Sequence, residues 1–127
     1  MIKNSDYRVA VIGLGYVGLP LYLLCEKNKI NIKGFDINQL KINNLKRNIS
    51  DNTDISSVEL KKTKKNFFSM HQIESIKDRN FIIFCLPTPL TKKNYPDLSY
   101  IINALKIMKN FCSPQSTFVI ESTVYPG

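Results

Sequence analysis

Val9-Ala10-Val11-Ile12-Gly13-Leu14-Gly15-Tyr16-Val17-Gly18-Leu19-Pro20 is a β-branched apolar run that enters a glycine loop and leaves it as an amphipathic segment. Its glycines keep the G-x-G-x-x-G spacing, in which each has a separate physical task. Gly13 allows a tight turn off a strand, Gly15 lets a pyrophosphate approach the backbone, and Gly18 lets a helix pack closely on that strand. With Tyr16 and Val17 completing the loop, the helix start offers free N–H groups and a partial positive charge to phosphates. The chain has five glycines and three stand here, so this is not one turn among many.

Working outward, Asn31-Ile32-Lys33-Gly34-Phe35-Asp36 reads as a second strand ending in an acid. Asp36 follows Gly18 by 18 positions, near the separation of roughly 20 at which a carboxylate binds the adenine ribose. Such a carboxylate accepts hydrogen bonds from the ribose hydroxyls and repels a 2′-phosphate, so NAD is favoured over NADP. Capping of the following helix is the alternative task for Asp36. Lys41 lies within reach of the same ribose, or is a solvated helix lysine.

Composition limits the other possibilities. At 127 residues and 43% hydrophobic the chain suits one domain with a real core. No stretch approaches the roughly 20 apolar residues of a membrane span, and Met1-Ile2-Lys3-Asn4-Ser5-Asp6 lacks the apolar core of a secretory signal. Cys25, Cys85 and Cys112 are scattered, odd in number and set among apolar residues. That predicts reduced thiols acting as small hydrophobes in a cytoplasmic protein, with no disulfide and no metal site. The net charge of +8 raises nucleic acid as a partner, but the one dense cluster, Lys61-Lys62-Thr63-Lys64-Lys65, reads as a solvated helix end and loop. No aromatic–basic interleaving or zinc knuckle accompanies it, so neither nucleic acid nor membrane is expected as a partner. No Gly-Lys-Ser or Gly-Lys-Thr follows the glycine loop, which excludes a P-loop ATPase.

Taken in order, the periodicity predicts a strand over 7–12 and a helix over 17–27 with Val17, Leu21, Leu24 and Cys25 along its apolar face. A strand follows over 30–36, then a helix capped by Asn38 and running to about Asn48, faced by Leu40, Ile42, Leu45 and Ile49. Asp51 to Asp54 reads as a turn, 57–62 as a short helix, and 66–69 as a brief strand. One or two helical turns over 71–77 would bury Ile73 and Ile76; His71, the sole histidine, has no triad-like companion. Phe81 to Leu86 is the most apolar run and reads as a buried parallel strand, stopped by Pro87-Thr88-Pro89. Asp97 then caps a helix with Leu98, Ile101, Ile102, Leu105 and Met108 at helical spacing, and a last strand covers 117–120.

That alternation predicts an α/β, Rossmann-like, doubly wound parallel sheet of order 3-2-1-4-5 in a single domain. The polar motifs then share an address. Gly13 to Gly18, Asp36, Thr88 and Thr123 all follow the carboxyl ends of strands, where ligands bind at the switch point between strands 1 and 4.

Taken together, Val11 to Pro20, Gly34-Phe35-Asp36-Ile37-Asn38, Leu86-Pro87-Thr88-Pro89, Pro96-Asp97-Leu98-Ser99 and Glu121-Ser122-Thr123-Val124-Tyr125-Pro126-Gly127 resemble the UDP-glucose/GDP-mannose dehydrogenase family. The resemblance spans nearly the whole chain, and the last motif is similar to the branch acting on UDP-N-acetylhexosamines for surface polysaccharides. It implies a four-electron oxidation at C6 of a UDP-sugar, two NAD molecules being used in turn. Gly13, Gly15, Tyr16, Val17 and Gly18 would hold the pyrophosphate, and Asp36 with Lys41 the adenine ribose. Thr88 would lie near the nicotinamide, and Thr123 would bind there and help place a water or the reacting centre. Plain shaping of strand-end loops is the other reading of Thr88 and Thr123.

In that family the carbon skeleton is held on a cysteine of a later domain, and none of Cys25, Cys85 or Cys112 stands in a matching motif. The expectation is therefore a truncated chain: residues 1–127 as the NAD-binding domain, inactive alone, with the UDP-sugar needing domains after Gly127 and the full-length protein a homodimer. Two other classes fit the glycine loop. One is an NAD-dependent dehydrogenase of the 3-hydroxyacid type, and the other a non-catalytic NAD-binding module.

Overall fold

The computed structural model describes residues 3–122. Strands β1 (Arg8–Ile12), β2 (Asn31–Asp36), β3 (Phe67–Ser69), β4 (Phe81–Phe84) and β5 (Thr117–Ile120) pair in parallel in the order β3-β2-β1-β4-β5. Helices α1 (Gly18–Lys27), α2 (Gln39–Lys46), α3 (Ser57–Lys61) and α4 (Ser99–Met108), with a 3-10 stretch over Met70–Ile76, cover the two faces.

Handedness decides which face each helix takes. Right-handed crossovers carry β1 to β2 to β3 in one direction, so α1 and α2 share a side, and the returns to β4 and β5 cross the other. The pleat of β1 divides its side chains to match. Val9 and Val11 join Tyr22, Ile42, Leu45 and Leu60 in one core. Ala10 and Ile12 join Phe35, Ile76, Phe84 and Met108 in the other. Gly34 in mid-strand serves the first of these: a Cβ there would stand 2.8 Å from Leu14 Cδ2 and 3.2 Å from Tyr22 Cδ2. The absent side chain is the space into which the loop residue Leu14 drops.

The element order matches expectation, but helix rotation does not. The buried face of α1 is Gly18, Leu19, Tyr22 and Cys25, while Val17 and Leu24 are exposed. Residues 19 and 21 to 25 are all apolar, so spacing leaves the rotation of the helix open. Backbone contact settles it, because a Cβ on Gly18 would lie 1.7 Å from the Gly13 carbonyl oxygen, and only Gly18 can turn inward. Helix α2 is capped as expected, the Asn38 side chain accepting the Lys41 N–H, but it ends at Lys46 and buries only Ile42 and Leu45 of its expected face. Leu40 and Ile49 are exposed. In α4 the buried residues are Ile101, Ala104 and Met108, with Ile102 and Leu105 outward. Leu98 takes the cap position one residue after Asp97, whose carboxylate still accepts the Ser99 N–H at 2.9 Å.

Polar side chains fasten the end of the sheet away from the strands' carboxyl termini. Arg79, buried, donates to the Asn31 carbonyl and side-chain oxygens and pairs with Asp78 at 2.7 Å, while its own carbonyl accepts from Ser116 Oγ. One guanidinium region thus ties the starts of β2, β4 and β5. Strand β5 stands at an edge among the described strands, and Phe118 and Ile120 on it are exposed. With Ile102, Leu105 and Met108 of α4, Phe118 borders an apolar groove of about 620 Å³.

Candidate functional site

The carboxyl ends of β1, β2 and β4 open on a cleft of about 720 Å³, and α4 forms its far wall. It lies where crossovers leave β1 and β4 toward opposite faces, so the loops diverge and leave a crevice.

Gly13 has φ of +96°, and a Cβ on it would meet the Cys85 carbonyl oxygen at 2.6 Å. Its N–H donates to the Phe35 carbonyl at 2.8 Å, bending the chain off β1 while staying tied to β2. Gly15 differs: a Cβ there would have nothing within 4 Å. Packing therefore does not demand glycine at 15, and the open space is the cleft itself. The N–H groups of Gly15, Tyr16 and Val17 meet no acceptor among the described residues, and Tyr16 and Val17 are exposed. The helical bonds start with Leu19 N–H to the Gly15 carbonyl, which leaves those three donors at the positive end of α1.

Asp36, only 9% exposed, divides its carboxylate between two backbone donors. One oxygen accepts the buried Leu14 N–H at 2.9 Å and the other the Asn38 N–H at 2.8 Å. It therefore clasps the glycine loop to the end of β2, a task in addition to the one expected of it. It does not cap α2, which Asn38 does. Lys41 lines the same side of the cleft, with Nζ 3.3 Å from Asp51. Thr88 lines the cleft just past β4, and Ser122 Oγ donates to the Leu86 carbonyl at 2.6 Å, tying the end of β5 to that loop. Thr123 lies outside the described residues.

The structure brings together residues that the sequence left apart: Ile37 and Met70 near Asp36, Tyr100, Asn103 and Ile107 on α4, and Glu121 after β5 all line the cleft. The available signal for α4 was a second stripe at 100, 103, 104 and 107, spaced for one helix face. His71 is exposed and is not among the lining residues. Burial raises the thiols of Cys25 and Cys112 above the ordinary range, and burial followed by the Glu121 charge pushes that of Cys85 up to about 11. None is a ready thiolate nucleophile. Among the described residues no group of three His, Cys, Asp or Glu could hold a metal ion, and no helix is long and apolar enough to cross a membrane.

Three free N–H donors at a helix start, clearance at Gly15, a carboxylate next door and apolar walls beyond it form the donor set of a dinucleotide site. Residues 7–127 match the model of the UDP-glucose/GDP-mannose dehydrogenase family, NAD binding domain. The chain is similar to Protein CapL of Staphylococcus aureus, at 40% identity over 94% of this chain and 28% of that protein. It is also similar to a UDP-N-acetyl-D-glucosamine 6-dehydrogenase of Salmonella typhi, at 38% identity over 100% of this chain and 29% of that protein. Among solved structures, a UDP-D-ManNAc dehydrogenase from Pyrococcus horikoshii superposes with a TM-score of 0.82 at 30% identity, over 94% of this chain and 29% of that one. The chain thus spans less than a third of the length of these relatives.

Proposed function

The chain belongs to the UDP-glucose/GDP-mannose dehydrogenase family through its NAD-binding domain, and on that premise we propose that it serves a UDP-N-acetylhexosamine 6-dehydrogenase of surface polysaccharide synthesis. The reaction takes a primary alcohol at C6 to a carboxylate with one water, releasing two hydrides in turn. Bound NAD supplies the hydride acceptor for each oxidation. The observation that carries the reading is the joining of the three unpartnered loop N–H groups, the Gly15 clearance and Asp36 in one cleft.

Within it, the N–H groups of Gly15, Tyr16 and Val17 bind the pyrophosphate, while Gly13 and Gly18 shape the loop that presents them. Asp36 accepts from the adenine ribose with the lone pairs left after its two backbone bonds. Lys41 flanks that ribose with its charge partly answered by Asp51. The adenine rests between Ile37 and the Tyr100–Ile107 wall of α4. Thr88 borders the nicotinamide half, and Thr123 helps place the water or the reacting carbon. The sugar-binding groups and the thiol that holds the oxidised carbon belong to a further part of a longer enzyme, for which relatives more than three times this length leave room. Alone, this domain binds cofactor without turnover. The match at 38% identity to the UDP-N-acetyl-D-glucosamine 6-dehydrogenase of Salmonella typhi supports an N-acetylhexosamine over other sugars.

Calorimetric titration of the chain with NAD and with NADP tests the cofactor half. NAD binding more tightly than NADP is expected, because the Asp36 carboxylate repels a 2′-phosphate. Equal binding of the two would overturn the ribose assignment.

A further inference from the structure

Glu121 is the first residue past β5, and with Cys85, Leu86, Pro87 and Ser122 it lines the part of the cleft farthest from Asp36 in strand order. Its backbone is held firmly: its N–H donates to the Phe84 carbonyl at 2.9 Å, and the next residue is fixed by the Ser122–Leu86 bond. Its side chain is exposed and makes no hydrogen bond or ion pair among the described residues. Among the described residues no cation pairs with this negative charge, which lines that end of the cleft. The Cys85 thiol feels it, since Glu121 adds to burial in raising that group.

The direction of the ligand follows from the reading above, on which this inference rests. With the adenosine at Asp36 and the pyrophosphate on the loop after β1, the second nucleoside runs over the ends of β4 and β5. The ring it carries there differs by one unit of charge between states: nicotinamide is cationic when oxidised and neutral when reduced. Lys41, Asp51 and Asp36 lie at the adenosine end and meet the same chemistry in both states. Glu121 meets different chemistry in each.

We infer that Glu121 determines which redox state of the cofactor the domain prefers, its carboxylate at the end of β5 favouring cationic NAD over NADH. The bias suits a site that must release one reduced cofactor and admit an oxidised one before the second oxidation. Differential affinity alone can produce such a preference.

The chain is titrated calorimetrically with NAD and with NADH, as wild type, Glu121→Gln and Glu121→Lys, with circular dichroism to verify the fold of each. The ratio of the NADH to the NAD dissociation constant should fall about tenfold in Glu121→Gln, equivalent to about 1.4 kcal/mol, mainly by weaker NAD binding. It should fall further in Glu121→Lys. A ratio unmoved by either substitution, in a chain that binds both forms, overturns the role of Glu121 and leaves the cofactor site standing. If the wild-type chain binds neither form, the cofactor reading fails and this inference falls with it.

Discussion

Replacing Asp36 with alanine separates two tasks that one carboxylate performs. In the folded chain its oxygens accept the Leu14 N–H at 2.9 Å and the Asn38 N–H at 2.8 Å, the first of these in a buried setting. Alanine leaves the Leu14 donor without an acceptor, a cost of about 1–3 kcal/mol, and removes a charge-assisted bond to Asn38 of about 1.5 kcal/mol. The expected loss is about 3 kcal/mol, a large share of the roughly 5–15 kcal/mol that holds a domain folded. Thermal unfolding should move down on the order of 10 °C. Asp36→Asn has one carbonyl oxygen for two donors, so it should lose about half as much. Urea melts give the stability, and titrations with NAD and NADP give the ligand half. Because the clasp positions the loop N–H groups, both cofactors should bind more weakly in the alanine variant, while the gap between them narrows. An unchanged urea midpoint, with NAD affinity alone reduced, would refute the clasp and leave Asp36 as a ligand group only.

The glycine loop supplies a paired test. Gly15→Ala meets open space, so stability should hold or rise by up to about 1 kcal/mol, while NAD affinity falls about tenfold through lost access to the loop donors. Gly18→Ala would force a methyl to within 1.7 Å of the Gly13 carbonyl oxygen, and a loss of about 3 kcal/mol in a urea melt is expected. At the opposite end of the sheet, Arg79, first by hydrogen bond, and Lys33 hold the Asp78 carboxyl down to about 2 from its ordinary 3.8. A depressed carboxyl stabilises the fold fully above its unfolded value, and that contribution fades as pH falls from about 4 to about 2. Asp78 is half exposed, so the contribution is below about 1 kcal/mol. Urea midpoints across that range should fall less steeply in Asp78→Asn.

The strand order was legible because each strand carries a local signature: a β-branched run before glycine, an acid-ended run, the Phe81–Phe84 stretch between turn signals. Helix rotation was not, because α1 and α4 carry apolar residues on more than one face; in α1 the choice rests on the close approach of Gly18 to the Gly13 backbone. The site divides in the same way. Gly13, Gly15, Asp36, Lys41 and Thr88, named from spacing or family resemblance, do meet in one cleft. The Asp36–Leu14 clasp spans 22 residues and depends on how the loop lies over β2, which no local pattern encodes. Tyr100, Asn103 and Ile107 were hidden because α4 serves two environments, and its core residues dominated the pattern. Arg79 gave no sign of burial, since charged residues are almost never inside unless paired, and its partners came from Asn31 and Asp78.

The edge strand β5 also has a colloidal consequence. A sheet margin bearing exposed Phe118 and Ile120 is a template on which another copy can lay a strand, the first step toward aggregation. What opposes this is mutual repulsion between molecules each carrying +8. Added salt shortens the reach of that repulsion to about 3 Å at 1 M, without weakening the attraction between apolar strands. Solutions of this chain should therefore stay clear at low ionic strength and scatter light as salt is raised.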